Sequence, residues 1–296
     1  MAAGSQGQIS TGKPAWLRRR LPLGPEYEKV RRLLKGQELH TVCQEAHCPN
    51  QFECYAKGTA TFMILGDRCS RNCRFCAVQH QPAGPPDPAE PARVADAVSL
   101  LDLRYAVITS VTRDDLDDGG ASMFAETIRA IRRSRPHTLV EVLIPDLQGD
   151  WQALAGILAA KPQVLNHNIE TVPRLYPLVR PQALCRRSLE LFRQVKKNSP
   201  QQVCKSGIML GLGETHEELR QVWLDLRLNG CDILTMGQYL QPSAENLPVK
   251  RFVPPEEFDR LQAEALACGF SGVSAGPFVR SSYQAEKLYR LTVGNF

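Results

Sequence analysis

The sequence predicts an α/β fold in which six strand-and-helix units form an open, partial (β/α)6 barrel. Strand-like apolar runs alternate with helix-like runs along most of the chain, which implies a parallel sheet with right-handed crossovers. Six units are too few to close a barrel of about eight strands. A cysteine-rich extension precedes the repeat, and a helix with a tail follows it. We expect this tail to close the mouth of the barrel.

The predicted strands cover residues 59–66, 105–111, 138–144, 164–169, 205–210 and 233–240. A short helix at 27–34 precedes the repeat, and further helices are predicted at 92–102, 121–134, 151–160, 183–197 and 217–229. The stretch 270–283 is rich in small residues without a helical period, so it predicts a packed loop. The chain therefore divides into an N-terminal extension (1–58), a barrel (59–255) and a C-terminal helix and tail (256–296).

Composition narrows the class of partner. The 296 residues carry a net charge of +5 and ten cysteines. The basic residues are dispersed and not interleaved with aromatic ones, so we expect no nucleic-acid partner, whereas the mild positive excess suits an acidic protein. No run is long enough to cross a bilayer, and residues 1–7 lack the apolar core of a secretory signal. We expect a cytoplasmic protein without a membrane partner, whose cysteines stay reduced.

One cysteine group directly follows the first predicted strand. Cys69, Cys73 and Cys76 have C-x3-C-x2-C spacing. Three thiolates can hold three irons of a 4Fe-4S cube and leave the fourth iron open to a ligand that is not protein. An open metal position indicates chemistry rather than a structural role. The alternative is a zinc site with His80 as a fourth ligand.

A second cysteine group lies in the N-terminal extension. Cys43, Cys48 and Cys54 have C-x4-C-x5-C spacing, and the turn favoured by Pro49 and Asn50 would bring their sulfurs together. With the adjacent group, this spacing favours a second iron-sulfur cluster. A structural zinc site with His47 is the alternative.

Polar residues also occur at or near the carboxyl ends of the predicted strands, where the chemistry of such barrels lies. Those that we expect at the mouth include Ser110, Asn168, Glu170 and Lys205. Their simpler role is ordinary hydrogen bonding at strand ends.

Taken with further motifs, residues 40–290 closely resemble the lipoyl synthases, a family within the radical S-adenosylmethionine (SAM) superfamily. The motifs are both cysteine groups, the hexapeptide beginning at Val111, and the stretches 166–171, 205–207, 237–242 and 280–283. The resemblance implies a radical SAM barrel, SAM as a cofactor and two 4Fe-4S clusters. It also implies insertion of two sulfurs at the sixth and eighth carbons of an octanoyl-lysine. Those unactivated C–H bonds require radical chemistry supplied by a cofactor.

The resemblance assigns roles residue by residue. It implies that Cys69, Cys73 and Cys76 ligate the SAM cluster and that Cys43, Cys48 and Cys54 ligate an auxiliary, sulfur-donating cluster. Ser282 matches a fourth auxiliary ligand, and Arg280 in the same motif is expected with it at the catalytic centre. For SAM, the resemblance implies that Asn168 and Glu170 bind the ribose, that Arg187 or Lys205 binds the carboxylate, and that Ser110 contacts the amino group.

The implied partners are octanoylated lipoyl carrier domains, such as the glycine cleavage H protein and the acyltransferase subunits of dehydrogenases. A small electron donor such as ferredoxin or flavodoxin is also implied, and we expect a monomer. Other readings remain open: a biotin-synthase-like or methylthiotransferase enzyme, an iron-sulfur carrier, or a zinc-stabilised module.

Overall fold

The computed structural model describes residues 13–18 and 24–294. Its strands are β1 (His40–Thr41), β2 (Thr61–Ile64), β3 (Arg68–Cys69), β4 (Gln79–His80), β5 (Tyr105–Ser110), β6 (Leu139–Leu143), β7 (Val164–Asn166), β8 (Val203–Leu210), β9 (Ile233–Gln238) and β10 (Gly272–Gly276). Its α-helices are α1 (Pro25–Gly36), α2 (Val42–Glu45), α3 (Gln51–Ala56), α4 (Glu90–Leu100), α5 (Ala121–Ser134), α6 (Trp151–Ala159), α7 (Tyr176–Val179), α8 (Cys185–Asn198), α9 (His216–Leu228), α10 (Pro255–Ala267) and α11 (Ala285–Val293).

One sheet of eight strands organises the molecule, in the order β1-β2-β5-β6-β7-β8-β9-β10. The short β1 runs antiparallel to β2, and every other neighbouring pair is parallel. Within the described residues the two edge strands do not pair, so the sheet stays open. The predicted partial barrel is confirmed.

The two faces of the sheet have different partners, because successive strand residues point to opposite sides. Along β5, Ala106 and Ile108 join the main core beneath the helices. Tyr105 and Val107 face the other way, where α11 packs against them, and the rings of Tyr105 and Tyr289 lie 5.9 Å apart. The C-terminal helix therefore fills part of the face that the other helices leave uncovered.

The tail contains a strand that the sequence prediction missed. Residues 270–283 were expected to form a loop, but Gly272–Gly276 form β10, a seventh parallel strand, beside β9. Glycine and serine give no strand signal, yet close packing requires glycine at position 272, where a Cβ would lie 2.3 Å from Thr292 Oγ1. The strand predicted at 164–169 was also too long. The observed strand β7 ends at Asn166, and pairing resumes as a single bridge between Glu170 and Ile208.

No helix among the described residues is both long and apolar enough to span a membrane. The predicted helix at 121–134 matches α5, and the other predicted helices agree with the structure to within a few residues. The N-terminal residues that bear on a secretory signal, 1–7, lie outside the described ranges.

Candidate functional site

The first cysteine group lies at the carboxyl end of the sheet, in a segment that we call the barrel thiol loop (residues 69–76). Hydrogen bonds attach it to the segments that follow three other strands, β5, β7 and β9. Ser70 N donates to Thr112 O at 2.9 Å and Arg74 N donates to Val179 O at 2.9 Å. Asn246 Nδ2 donates to Cys76 O at 2.9 Å. The loop therefore has a fixed position at the mouth of the barrel.

Arg71 is the strongest anchor of the barrel thiol loop, and the sequence prediction missed it. Its Nε and Nη2 donate to both carboxylate oxygens of Asp114 at 2.6 and 2.9 Å, and Nη2 also donates to Asp146 Oδ1 at 2.6 Å. Burial by itself would raise the pKa of Asp146. The hydrogen bond and the charge of Arg71 outweigh this effect and lower the pKa to about 2. The loop is thus fixed by charge-assisted hydrogen bonds from Arg71 to two carboxylates, of which that of Asp146 is fully buried.

The thiols of this loop lie in a shielded environment. Burial raises the pKa of Cys76 to about 12 and of Cys73 to about 11, and the neighbouring Cys69 adds to both shifts. Thiols whose ionisation is disfavoured by burial and by a neighbouring thiol become thiolates more readily when a metal cation binds them. This donor set suits an iron-sulfur cluster.

The second cysteine group forms the N-terminal thiol segment (residues 43–54). Cys43 lies in α2, Cys48 in the following turn and Cys54 in α3. The turn is closed by Cys48 N donating to Cys43 O at 3.1 Å. Burial raises the pKa of Cys43 to about 12 and of Cys54 to about 11, with Cys48 as the next contributor to both shifts. Cys43 and Cys54, like Cys73 and Cys76, therefore lie in surroundings of low polarity.

The tail reaches this segment from the other end of the chain. Asn50 Nδ2 donates to Phe278 O at 2.7 Å, and Tyr283 OH donates to Glu53 Oε1 at 3.0 Å. Ser282 lies between these two contacts in sequence. The tail also rests on the sheet, because a Cβ on Gly237 would lie only 2.1 Å from Val279 O. The tail therefore contacts both the N-terminal thiol segment and the sheet, whereas closure of the mouth by the tail stays a prediction.

Two predicted SAM contacts are adjacent in the structure. Asn168 Nδ2 donates to Glu170 Oε1 at 3.1 Å, and Ser281 Oγ donates to Asn168 Oδ1 at 2.7 Å. Burial raises the pKa of Glu170, while Arg180, Asn168 and then Arg280 oppose that rise. Glu170 also contributes to the raised pKa values of the barrel thiol loop, so it lies near that loop.

The other three predicted SAM contacts have different surroundings. Lys205 Nζ donates to Glu141 Oε1 at 2.8 Å, and both side chains are only 1% exposed. Arg187 Nη1 donates to Asp146 Oδ2 at 3.3 Å and keeps a 25% exposed side chain. Ser110 Oγ is buried without a hydrogen-bond partner among the described residues, as expected of a group that awaits a polar ligand.

Arg180 is a further site residue that the sequence did not single out. It is buried, and its Nη1 donates to Asn168 O at 2.9 Å. Within the described ranges its buried Nε has no partner. Its charge opposes the rise that burial causes in the pKa of both Cys73 and Glu170. No local pattern marks it, since its role comes from contacts with other loops.

Within residues 13–18 and 24–294, no three His, Cys, Asp or Glu side chains are close enough to hold one metal ion. In that part of the chain neither zinc alternative, with His80 or with His47, has a formed site. A 4Fe-4S cube makes a different demand, because each protein ligand binds its own iron.

Two family models match the chain. That of the Radical SAM superfamily covers residues 63–225, and that of the N-terminal domain of lipoyl synthase of the Radical SAM family covers residues 5–48. The curated lipoyl synthase of Desulfotalea psychrophila is 69% identical over 283 residues, which are 96% of this chain and 95% of that protein. The lipoyl synthase of Symbiobacterium thermophilum is 57% identical over 275 residues, 93% of this chain and 86% of that protein.

Solved structures show a similar fold at low identity. The FeFe-hydrogenase maturase HydG matches with a TM-score of 0.57 at 14% identity, over 78% of this chain and 54% of that one. Coproporphyrinogen III oxidase from Escherichia coli matches with a TM-score of 0.50 at 14% identity, over 75% and 56%. This chain spans about half the length of each, and the likeness concerns the fold alone.

Proposed function

Because this chain belongs to the lipoyl synthase family of the radical SAM superfamily, we propose that it inserts two sulfurs into a protein-bound octanoyl-lysine, at the sixth and eighth carbons. One observation carries this proposal: a barrel thiol loop lies at the sheet mouth, and a separate N-terminal thiol segment is held beside the C-terminal tail. A single electron-transfer cluster would need only one such group of cysteines.

We propose a 4Fe-4S cluster on each cysteine group. Cys69, Cys73 and Cys76 would hold the first, whose fourth iron stays open for SAM. The N-terminal thiol segment would hold the second together with Ser282. When bound, the first cluster and SAM supply the one-electron chemistry that removes hydrogen from unactivated carbons, and the second cluster supplies sulfur.

Ser282 suits the role of a weak fourth ligand. In the described part of the chain its hydroxyl makes no hydrogen bond, whereas the neighbouring Ser281 hydroxyl is bonded to Asn168 at 2.7 Å. Asn50 and Tyr283 hold the backbone on either side of it against the N-terminal thiol segment. A serine oxygen binds iron less firmly than a thiolate, which favours a cluster that must give up sulfide.

The barrel mouth offers a polar surface for SAM. We assign Asn168 and Glu170 to its ribose hydroxyls and Ser110 to its amino group. For the carboxylate, Arg187 is favoured over Lys205, because the ammonium of Lys205 is already bonded to Glu141 in the interior. Arg187 keeps an exposed part of its guanidinium.

Two further arginines shape the charge of the mouth. The buried Nε of Arg180, which has no hydrogen-bond partner among residues 13–18 and 24–294, suits an anionic group beside the barrel thiol loop. Arg280 belongs to the tail and packs against β9, where a Cβ on Gly237 would lie 3.0 Å from its Nη1, and its charge opposes protonation of Glu170. We propose that Arg280 orients the reacting end of the octanoyl chain, with Ser282 beside it in the tail.

The substrate is an octanoylated carrier. We propose lipoyl carrier domains such as the glycine cleavage H protein and dehydrogenase acyltransferase subunits, with ferredoxin or flavodoxin as electron donor. We propose a monomer, and we place it in the cytoplasm because ten cysteines without a disulfide suit a reducing compartment.

An anaerobic single-turnover assay with SAM, a reductant and an octanoyl-lysine peptide tests this function. We expect a peptide with two added sulfurs by mass spectrometry, and none when SAM is omitted. Cleavage of SAM without any sulfur in the peptide would contradict the proposal, as would a protein that binds zinc in place of iron.

A further inference from the structure

A buried carboxylate joins two arginines from distant parts of the barrel. Asp146 follows β6 and is fully buried. Its Oδ1 accepts from Arg71 Nη2 at 2.6 Å, and its Oδ2 accepts from Arg187 Nη1 at 3.3 Å. Arg71 belongs to the barrel thiol loop and has a 4% exposed side chain, whereas that of Arg187, in α8, is 25% exposed. One carboxylate therefore fixes the loop on one side and an accessible cation on the other.

The turn after Asp146 adopts a backbone conformation that side chains rarely favour. Leu147, Gln148 and Gly149 have φ angles of 47°, 51° and 87°. Left-handed backbone at non-glycine residues is unfavourable and persists where surrounding contacts impose it, often at functional sites. Here Gln148 N donates to Asp146 Oδ1 at 3.1 Å, and Gln148 Nε2 donates to Asp114 O at 3.1 Å. The strained turn thus sets the direction of the Asp146 carboxylate.

We propose that Asp146 is a positioning residue that presents the Arg187 guanidinium to SAM at a fixed place relative to the barrel thiol loop. This inference rests on the proposed function, since it takes Arg187 as the residue that binds the SAM carboxylate. An arginine already oriented by one carboxylate loses less rotamer freedom when it binds a second anion. Asp146 thereby couples the position of the cluster ligands to the position of the SAM carboxylate.

The test is a double-mutant cycle on SAM affinity, measured by titration calorimetry on the anaerobic, cluster-loaded enzyme. The variants are Asp146→Asn, Arg187→Met and the double variant. Asp150→Asn is the matched control, because Asp150 caps α6 through the N–H groups of Gln152 and Ala153 at 2.9 and 3.0 Å. The control makes the same chemical change four residues along the chain, in a helix cap instead of an arginine pair.

We expect Asp146→Asn to weaken SAM binding roughly tenfold, the effect of one charge-assisted hydrogen bond. The double variant should bind SAM no more weakly than Arg187→Met, because a residue that acts through Arg187 has no further effect once Arg187 is gone. In Asp146→Asn the KM for SAM should rise, while kcat at saturating SAM is kept. The control should stay within about twofold of wild type.

Additive losses in the double variant would overturn the proposal, and so would wild-type affinity in Asp146→Asn or in Arg187→Met. If Asp146→Asn fails to load iron, Asp146→Glu is measured instead. It keeps a carboxylate as the partner of Arg71, but its longer side chain moves the carboxylate oxygens away from the positions that orient Arg187. We expect that variant to retain its iron and to bind SAM roughly tenfold more weakly; wild-type affinity would refute the role of Asp146. Failure of the wild-type enzyme to make thiolated peptide would instead contradict the proposed function.

Discussion

Replacing Lys205 with methionine should destabilise the fold rather than weaken SAM binding directly. Lys205 and Glu141 are both about fully buried, with their charged atoms 2.8 Å apart. Removing one partner of a buried pair costs about 3–5 kcal/mol, because the other charge remains without compensation. Glu141 would keep its hydrogen bonds from Tyr105 OH at 2.7 Å and Asn166 Nδ2 at 3.1 Å. We therefore expect a loss near the lower limit, about 3 kcal/mol.

Urea unfolding followed by tryptophan fluorescence measures this loss, with wild type and variant prepared identically without oxygen. The double variant Lys205→Met/Glu141→Gln is the control for charge, because the amide leaves no buried carboxylate uncompensated. We expect it to recover at least about 1 kcal/mol of the lost stability. A loss below about 1 kcal/mol in Lys205→Met, together with strongly weakened SAM binding, would refute the reasoning and assign the ammonium to SAM.

Three further outcomes are expected. Cys48→Ala should still cleave SAM reductively but form no thiolated peptide by mass spectrometry; dithiolated product would contradict sulfur donation by the second cluster. Ser282→Cys should keep eight irons per chain, as expected for two 4Fe-4S clusters, while sulfur insertion falls; full activity would point to a turn serine instead. Burial, chiefly, lowers the pKa of His167 from 6.5 to about 4, so its contribution to stability is present above pH 6.5 and is lost as the pH falls toward 4. The free energy of unfolding should therefore drop by up to about 3 kcal/mol over that window, and an equal drop in His167→Gln would exclude His167 as the cause.

The sequence alone determined the local features of this protein. The spacing within each cysteine group confines its three thiols to one short segment of chain, and the alternation of apolar periods predicts the units from β2 to β9. Both signals lie within a few residues of chain, where covalent geometry limits the conformations available. The helix at 121–134 matches α5 for the same reason.

Tertiary structure alone decided how the loops meet. Arg71 reaches Asp146 across 75 residues, and Asn50 reaches Phe278 across 228. Strand β10 forms from residues that, apart from Val273, have little strand preference, because β9 offers an edge for pairing and the small residues let α11 pack closely. The same assembly bonds Lys205 to Glu141 and leaves Arg187 partly exposed. These outcomes depend on burial and on partners distant in sequence. The hydrophobic periodicity of a single segment predicts neither of them.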